Sequence, residues 1–347
     1  MERMARRKQS GVTIRAVAER AGVSAMTVSN VINGAGRASV ATVATVRAAI
    51  ADLGYVPNLA ARRLAKARAT TLGLVYSGRR MPFLDAVLVG TLRATNAHGL
   101  QLILRESDGT GAEAECVARD LIRSGADAIL LVPPFAELLS GSDVIESLGV
   151  PMAAIATGRP LPDITTVRID NHAAMHAITD RVVACGHSRI AYVAGPDHSS
   201  VVPARLEGFL QALGRHGITA IPELIISHGD FDYASGVKAG RALLAQAERP
   251  TAIICSSDDL AAGIIAEASH RGLSLPRDLS VTGFDDTILA SCIWPPLTVI
   301  RQPVEDMAFR ATQCLIAALA RDDGDWTISD EIFDHRLVER ESISVVH

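Results

Sequence analysis

From Thr71 onward, short and continuously apolar segments alternate with amphipathic stretches, and this alternation restricts the possible fold more than any other feature of the chain. The segments "TLGLVY", "LQLILRES", "AILLV", "PMAAIAT", "TVRID", "RIAYVAG", "ELIISHG", "TAIICSS", "LSVTGFDD" and "LTVIRQP" have strand length and are rich in β-branched residues. Helix-period stretches lie between most of them, among them 173–185, 203–216, 233–247 and 258–271. Strands that are apolar on both faces belong in parallel sheets covered by helices on both sides, and these ten make two such sheets. With 347 residues, 48 % of them hydrophobic, the chain has material for two or three full-sized cores.

No apolar run approaches the roughly 20 residues that span a bilayer, and no apolar signal core follows the basic N-terminus, so a cytosolic protein is expected. Cys116, Cys185, Cys255, Cys292 and Cys314 form no C-x-x-C pair and mostly have apolar neighbours. That is the pattern of buried thiols, not of a disulfide framework or a zinc site.

The first 69 residues are different. They hold 12 Lys or Arg against 3 acids, while the remainder holds 22 against 35, so a +9 head precedes a −13 body. A basic segment of this kind marks a nucleic acid or another anionic surface as partner. Three short helices are predicted in it. Ile14, Val17, Ala18 and Ala21 follow Thr13 as N-cap and end at Gly22. Ser24 caps a second helix with Val28, Val31 and Ile32 inside, and Val43, Val46, Ile50 and Leu53 line a third. Two short helices joined across "AGVS" make a helix-turn-helix, whose second helix fits the DNA major groove. On that helix Ala25, Met26, Thr27, Ser29, Asn30 and Asn33 lie away from the apolar face. Segment 58–65, "NLAARRLA", offers only about two helical turns and is too short to be stable alone.

In the order of these parts, "VTIRAVAERAGVSAMTVSNVING", then "LGYVPNLAARRLA", then a strand, the chain closely resembles the LacI (lactose-repressor) family, and "LVERESI" resembles that family's last strand. The resemblance covers nearly the whole chain. It implies an all-α helix-turn-helix head and an α/β two-lobed effector domain, periplasmic-binding-protein-like with parallel sheets. The corresponding domains are 1–57, a hinge helix and linker at 58–70, and an effector-binding and dimerisation domain at 71–347. Lobe 1 takes about 71–167 and 297–325, lobe 2 about 168–296 and 326–347.

By the resemblance, Ala25, Met26 and Asn30 fall at base-reading positions, and Leu64 matches a leucine that wedges into the minor groove. Phosphate contacts map to Thr13, Ser24, Ser29, Asn33, Ser39, Thr42, Tyr55 and Asn58, with Arg62 and Arg63 beside Leu64. A packing role on the body is the alternative for Leu64. Asn30 departs from the family, many of whose members carry arginine there. Arginine pairs with guanine, asparagine with adenine, so a different half-site preference is expected. The hinge is expected to fold only where two copies meet on bent DNA.

A cleft between two parallel-sheet lobes collects strand C-termini around a ligand. Phe83, Arg205, Phe231 and Asp285 end such strands or follow them, and Asp and Arg with aromatic rings suit a sugar. The resemblance assigns effector-holding positions to Arg205, Asp285 and the two phenylalanines. Ser257 stands where many members have asparagine. Each residue has a structural alternative: a cap for Asp258 or Asp285, an internal ion pair for Arg205, the core for Phe231.

The sequence contains no G-x-S-x-G, no Walker A motif and no G-x-G-x-x-G after a strand. His172 and His176 are four apart with no evident third ligand, so a solvated helix face is expected and not a metal site. The pairs Asp258-Asp259 and Asp285-Asp286 are adjacent in sequence, so their side chains diverge. No catalytic residue, cofactor or metal is therefore assigned. The expected protein is a cytoplasmic, nucleoid-associated repressor. It binds a pseudo-palindromic operator as a homodimer, ending soon after "LVERESISVVH" without a tetramer-forming heptad tail, and responds to a sugar or sugar acid. A transport-type solute-binding protein and an α/β enzyme acting on a sugar are the rivals.

Overall fold

The computed structural model describes residues 13–33, 39–53, 70–77, 82–107, 109–227, 229–321 and 326–346. The head contains α1 (Ile14–Ala21), α2 (Ala25–Asn33) and α3 (Val40–Leu53). Gly22 sits in the left-handed region at φ 66°. From there its N–H donates to Glu19 O while the Val23 N–H reaches Ala18 O at 3.0 Å. These two bonds are the Schellman ending that glycine allows, and they turn the chain sharply into α2. Val17, Val28 and Val46 are fully buried at the centre, each contributing roughly 1.5–3 kcal/mol relative to exposure.

The body holds two six-stranded sheets. The first is built from β1 (Thr71–Ser77), α4 (Pro82–Ala97), β2 (Gln101–Ser107), α5 (Gly111–Arg123), β3 (Ala128–Leu131), α6 (Phe135–Leu139), α7 (Asp143–Leu148), β4 (Met152–Ile155) and β5 (Thr165–Ile169). The second follows with α8 (Asn171–Ala184), β6 (Ile190–Val193), α9 (Val201–Arg215), β7 (Ile225–Ile226), α10 (Tyr233–Leu244), β8 (Ala252–Cys255), α11 (Asp258–His270), β9 (Ser280–Asp285), α12 (Ile288–Cys292) and β10 (Thr298–Arg301). The last elements are α13 (Val304–Ala320), β11 (Asp330–Phe333) and β12 (Arg336–Val338). All ten expected strands are present, in the orders β11-β5-β4-β3-β1-β2 and β12-β10-β9-β8-β6-β7.

Three expectations need correction. Residues 297–301 do not belong with the first lobe. β10 pairs in parallel with β9, Val299 opposite Gly283, and the chain crosses only after Arg301, where α13 packs on α4 and on β3 to β5. Residues 330–333 do not belong with the second lobe. β11 extends the first sheet beside β5, fastened by Asp330, whose carboxylate accepts from Arg168 Nε and Nη2, both at 2.8 Å. Finally, β12 is antiparallel to β10 and ends at Val338. The rest of "LVERESI" follows without strand pairing but stays attached through Ser342, whose carbonyl accepts from the Val281 N–H at 3.0 Å. The chain thus crosses between the sheets after β5, after β10 and after β11. One apolar cluster runs through both sheets, from Leu130 and Ile155 to Tyr192 and Phe284.

Candidate functional site

The strands of both sheets end around a cavity of about 290 Å³. Tyr76, Phe83, Pro133, Pro134 and Ala156 line it from the first sheet's side, and Pro196, His198, Arg205, Asp230, Phe231, Ser256 and Asp285 from the second's. Phe83, Arg205, Phe231 and Asp285, named from sequence, therefore meet in one place. Ser257 does not line it. Its hydroxyl caps α11 by accepting from the Leu260 N–H at 3.2 Å, while the preceding residue, Ser256, faces the cavity.

Arg205 is only 4 % exposed, on the second turn of α9. Its Nε donates to Asn171 Oδ1 at 2.8 Å and its Nη1 to the Ser256 carbonyl at 2.7 Å. Its guanidinium carbon lies 3.7 Å from the centre of the Phe284 ring. Burial lowers its pKa, opposed by the charge of Asp285. Close by, Tyr192 Oη and Ser256 Oγ are 2.7 Å apart, and burial raises the Tyr192 pKa to about 12. The phenol therefore stays neutral, a fixed hydrogen-bonding group behind the cavity wall. Phe231 lies against Gly195, where a Cβ would stand 2.1 Å from the ring.

Asp285 ends β9 at φ 103°, followed by Asp286 at φ 60°. Positive φ at two consecutive non-glycine residues is strained backbone that persists only when its surroundings hold it. Three contacts do so. Asp258 Oδ2 accepts from the Thr287 N–H at 2.7 Å and from its hydroxyl at 2.9 Å. Asp286 turns away from the cavity to Arg301 at 2.5 Å and Arg340 at 2.6 Å. Gln302 Nε2 donates to Asp285 Oδ1 at 2.5 Å. Burial raises the Asp285 carboxyl to about 6 against the opposing pull of Arg205 and Gln302. Burial and the charge of Asp285 raise Asp258 to about 8. The adjacent acids diverge, as their spacing requires.

Sequence reasoning missed Asn171, Ser256, Phe284 and Gln302. The alternation of sides along "IICSSD" is the one local signal that separates Ser256 from Ser257. His172 and His176 have ring centres 6.3 Å apart, and His176 lies 3.2 Å from Asp180. No group of three or more metal-ligating side chains occurs among the described residues.

In the head, a hydroxyl caps each helix. The Ala16 N–H donates to Thr13 Oγ1 at 3.3 Å, the Thr27 N–H to Ser24 Oγ at 3.1 Å and the Thr42 N–H to Ser39 Oγ at 3.2 Å. The Thr42 and Ser39 hydroxyls are 2.8 Å apart. Met26 is 70 % exposed. Ala25, Ser29 and Asn30 are half-buried, Ala25 against the head core. Asn33 is the last residue of α2; its side chain, with Tyr55, Asn58, Arg62, Arg63 and Leu64, lies outside the described residues.

Residues 13–58 match the family model "Bacterial regulatory proteins, lacI family", and residues 179–343 match "Periplasmic binding protein-like domain". The HTH-type transcriptional regulator CelR of Thermobifida fusca is 35 % identical over 318 residues, covering 88 % of this chain and 91 % of that protein. A solved structure of a CelR–cellobiose complex superposes with a TM-score of 0.71 at 31 % identity, covering 95 % of this chain and 99 % of the other. The lac repressor dimer bound to operator and the anti-inducer ONPF superposes at 0.70 with 26 % identity, covering 96 % of this chain and all of the other. Likeness over both head and body, with the helix-turn-helix and the two-sheet cavity in the same chain, leads to one conclusion: this chain belongs to the lacI family and is a DNA-binding transcriptional regulator, not an enzyme.

Proposed function

We propose that the protein is a repressor that binds a two-half-site operator as a homodimer, in the cytoplasm where the chromosome lies, and that an uncharged sugar in the cavity changes its grip on DNA. The observation that carries the effector reading is that Arg205 and Asp285 line the same cavity as Phe83 and Phe231. A carboxylate ligand meets Asp285 and Asp230 there, while two Arg205 nitrogens are already committed to Asn171 and Ser256. A neutral polyol gives donors to Asp285 and lays its apolar face on the rings. The similar CelR structure is a complex with cellobiose, which makes cellobiose the first candidate.

For the head, capped N-termini at Thr13, Ser24 and Ser39 present hydroxyls and backbone N–H groups suited to phosphates. Met26 and Ala25 offer apolar contact to a thymine methyl, and Asn30 offers a bidentate pair to adenine. We place Tyr55, Asn58, Arg62 and Leu64, which lie outside the described residues, on the DNA as well. Exposed apolar residues Val89 and Leu92 on α4, with Ile288 and Trp294 around α12, supply surface for a second copy.

Four measurements test this reading. In a thermal-shift comparison, cellobiose raises the melting temperature and cellobionate does not. Asp285→Ala weakens cellobiose binding about 10- to 100-fold, the loss of one or two hydrogen bonds to a charged group. A full response retained in Asp285→Ala rejects the cavity assignment. On DNA upstream of the protein's own gene, log affinity falls linearly with log salt, with a slope of about −5 for six neutralised phosphates. In binding-site selection, Asn30→Arg moves the preferred half-site from adenine toward guanine, and an unmoved preference removes Asn30 from the base-reading set.

A further inference from the structure

The carboxylate assigned to the effector is already occupied from within. Asp285 Oδ1 accepts the Gln302 amide at 2.5 Å, and the two side chains border both the cavity and a second hollow bounded by Asp85, Asp286, Arg301 and Glu305. Gln302 is 6 % exposed, and the other end of its amide, Oε1, is buried with no hydrogen-bond partner. A buried carbonyl oxygen left without a donor is costly in a dry interior, so this side chain is not in a fully satisfied resting place.

The main chain of the same residue does something different. The Gln302 carbonyl accepts from the Val304 N–H at 2.9 Å across Pro303, which has φ −81° and ψ 60°. That is an inverse γ-turn, and it hands the chain from β10 of the second sheet to α13 on the first. Gln302 therefore has its side chain on the cavity's carboxylate and its backbone in a lobe-to-lobe crossover. The crossover after β5 repeats the arrangement with opposite polarity. Asn171 begins α8, its Oδ1 accepts from Arg205 Nε at 2.8 Å, and its Nδ2 is buried without a partner. Arg205 and Asp285 are thus each held by a half-used amide that comes from a crossover.

We propose that Gln302 is a positioning residue that stands in for the ligand. Its amide holds Asp285 while the cavity is empty, and a ligand hydroxyl that donates to Asp285 Oδ1 displaces it. The freed side chain no longer braces the inverse γ-turn, and the angle between the two lobes changes. The proposal rests on Asp285 being an effector contact, but the bracing role is testable without any ligand.

The exposed Cys116 on α5 and Glu248→Cys, an exposed position after α10, provide one spin-label site on each lobe, and Cys292, which lies on the α12 surface offered to a second copy, is replaced by serine. Half-buried Cys314 is replaced by serine, and labelled protein is diluted into unlabelled protein so that distances within one chain dominate. Without ligand, Gln302→Leu and the shortened but still polar Gln302→Asn each give a distance distribution shifted or broadened relative to the parent. Two distributions that coincide with the parent's overturn the proposal. With cellobiose as probe, the parent distribution moves toward that of the variants. Gln302→Leu, having lost its internal competitor, binds cellobiose about fivefold more tightly, the equivalent of one net hydrogen bond, and shows no further change in distance. Tenfold weaker binding in Gln302→Leu makes the residue an ordinary ligand contact and overturns the proposal. Cellobiose failing to bind the parent at all counts against the cavity assignment alone, and the ligand-free comparison then decides the role of Gln302.

Discussion

Asp258 does not line the cavity, yet its burial should make the stability of the fold depend on pH. Its side chain is buried, with Oδ2 on Thr287 and Oδ1 unpartnered above Gly283, where a Cβ would stand 2.4 Å away. Its folded pKa of about 8 lies far above the roughly 3.9 of an unfolded aspartate. The folded state thus binds the extra proton across that interval. The stability this confers is complete below about pH 4 and is lost as pH rises through 8. Asp285, raised to about 6, adds the same sign at lower pH. Unfolding free energies from denaturant titrations should therefore fall between pH 6.5 and 8.5, by at most about 1.4 kcal/mol per pH unit for one proton. Asp258→Asn should flatten that fall, because the amide still accepts from Thr287 and has no proton to lose. Equal slopes in the two proteins would place Asp258 among ordinary ionised carboxylates. At this scale the sequence pointed to Arg205 and Asp285 through the family resemblance, and the structure brings both to one cavity. It separated the two adjacent serines only through the alternation of sides along "IICSSD", and it was mute on which amide holds which charge.

Elements were more readable than their neighbours in space. The helix starts at Thr13 and Ser24 were legible because a hydroxyl before an apolar period is a local signal, and Gly22 marked the turn by a conformation that only glycine adopts freely. The placement of β10 and β11 was not legible. "LTVIRQP" reads as a strand in any sheet, and the choice between sheets is made by distant partners, Gly283 for Val299 and Arg168 for Asp330. Local periodicity carries no information about those pairings. The caps carry energetic weight in the head, whose core is small. Ser24→Ala removes the acceptor for the Thr27 N–H and should cost about 1 kcal/mol. Hydrogen exchange at residues 27 to 29 should accelerate severalfold while the amides of β3 and β8 keep their protection. If the head amides exchange at the parent rate, the α2 start is held by packing of Val28 and not by its cap.

Across the whole molecule, the division into a +9 head and a −13 body was plain in the sequence, whereas the way the two lobes touch was not. Apart from the crossovers, the lobes meet at Ser200, just before α9. Its hydroxyl accepts from the Gly158 N–H at 2.8 Å and donates to Glu137 of α6. The approach is close enough that a Cβ on Gly158 would lie 1.9 Å from the Ser200 carbonyl oxygen and 2.2 Å from its carbon. Both are backbone atoms and have no rotamer to retreat into, so Gly158→Ala must part the two surfaces. Ser200→Ala leaves the fit intact and removes only the hydroxyl, at a cost of about 1–3 kcal/mol for the polar groups left unpaired. If shape complementarity holds this edge of the cleft, ligand-free Gly158→Ala should scatter X-rays as a more open particle than the parent. Ser200→Ala should then keep the parent profile with a melting temperature lowered by a few degrees. The reverse order, with Ser200→Ala opening the particle and Gly158→Ala leaving it closed, would mean that the hydrogen bonds and not the fit join the lobes at this point.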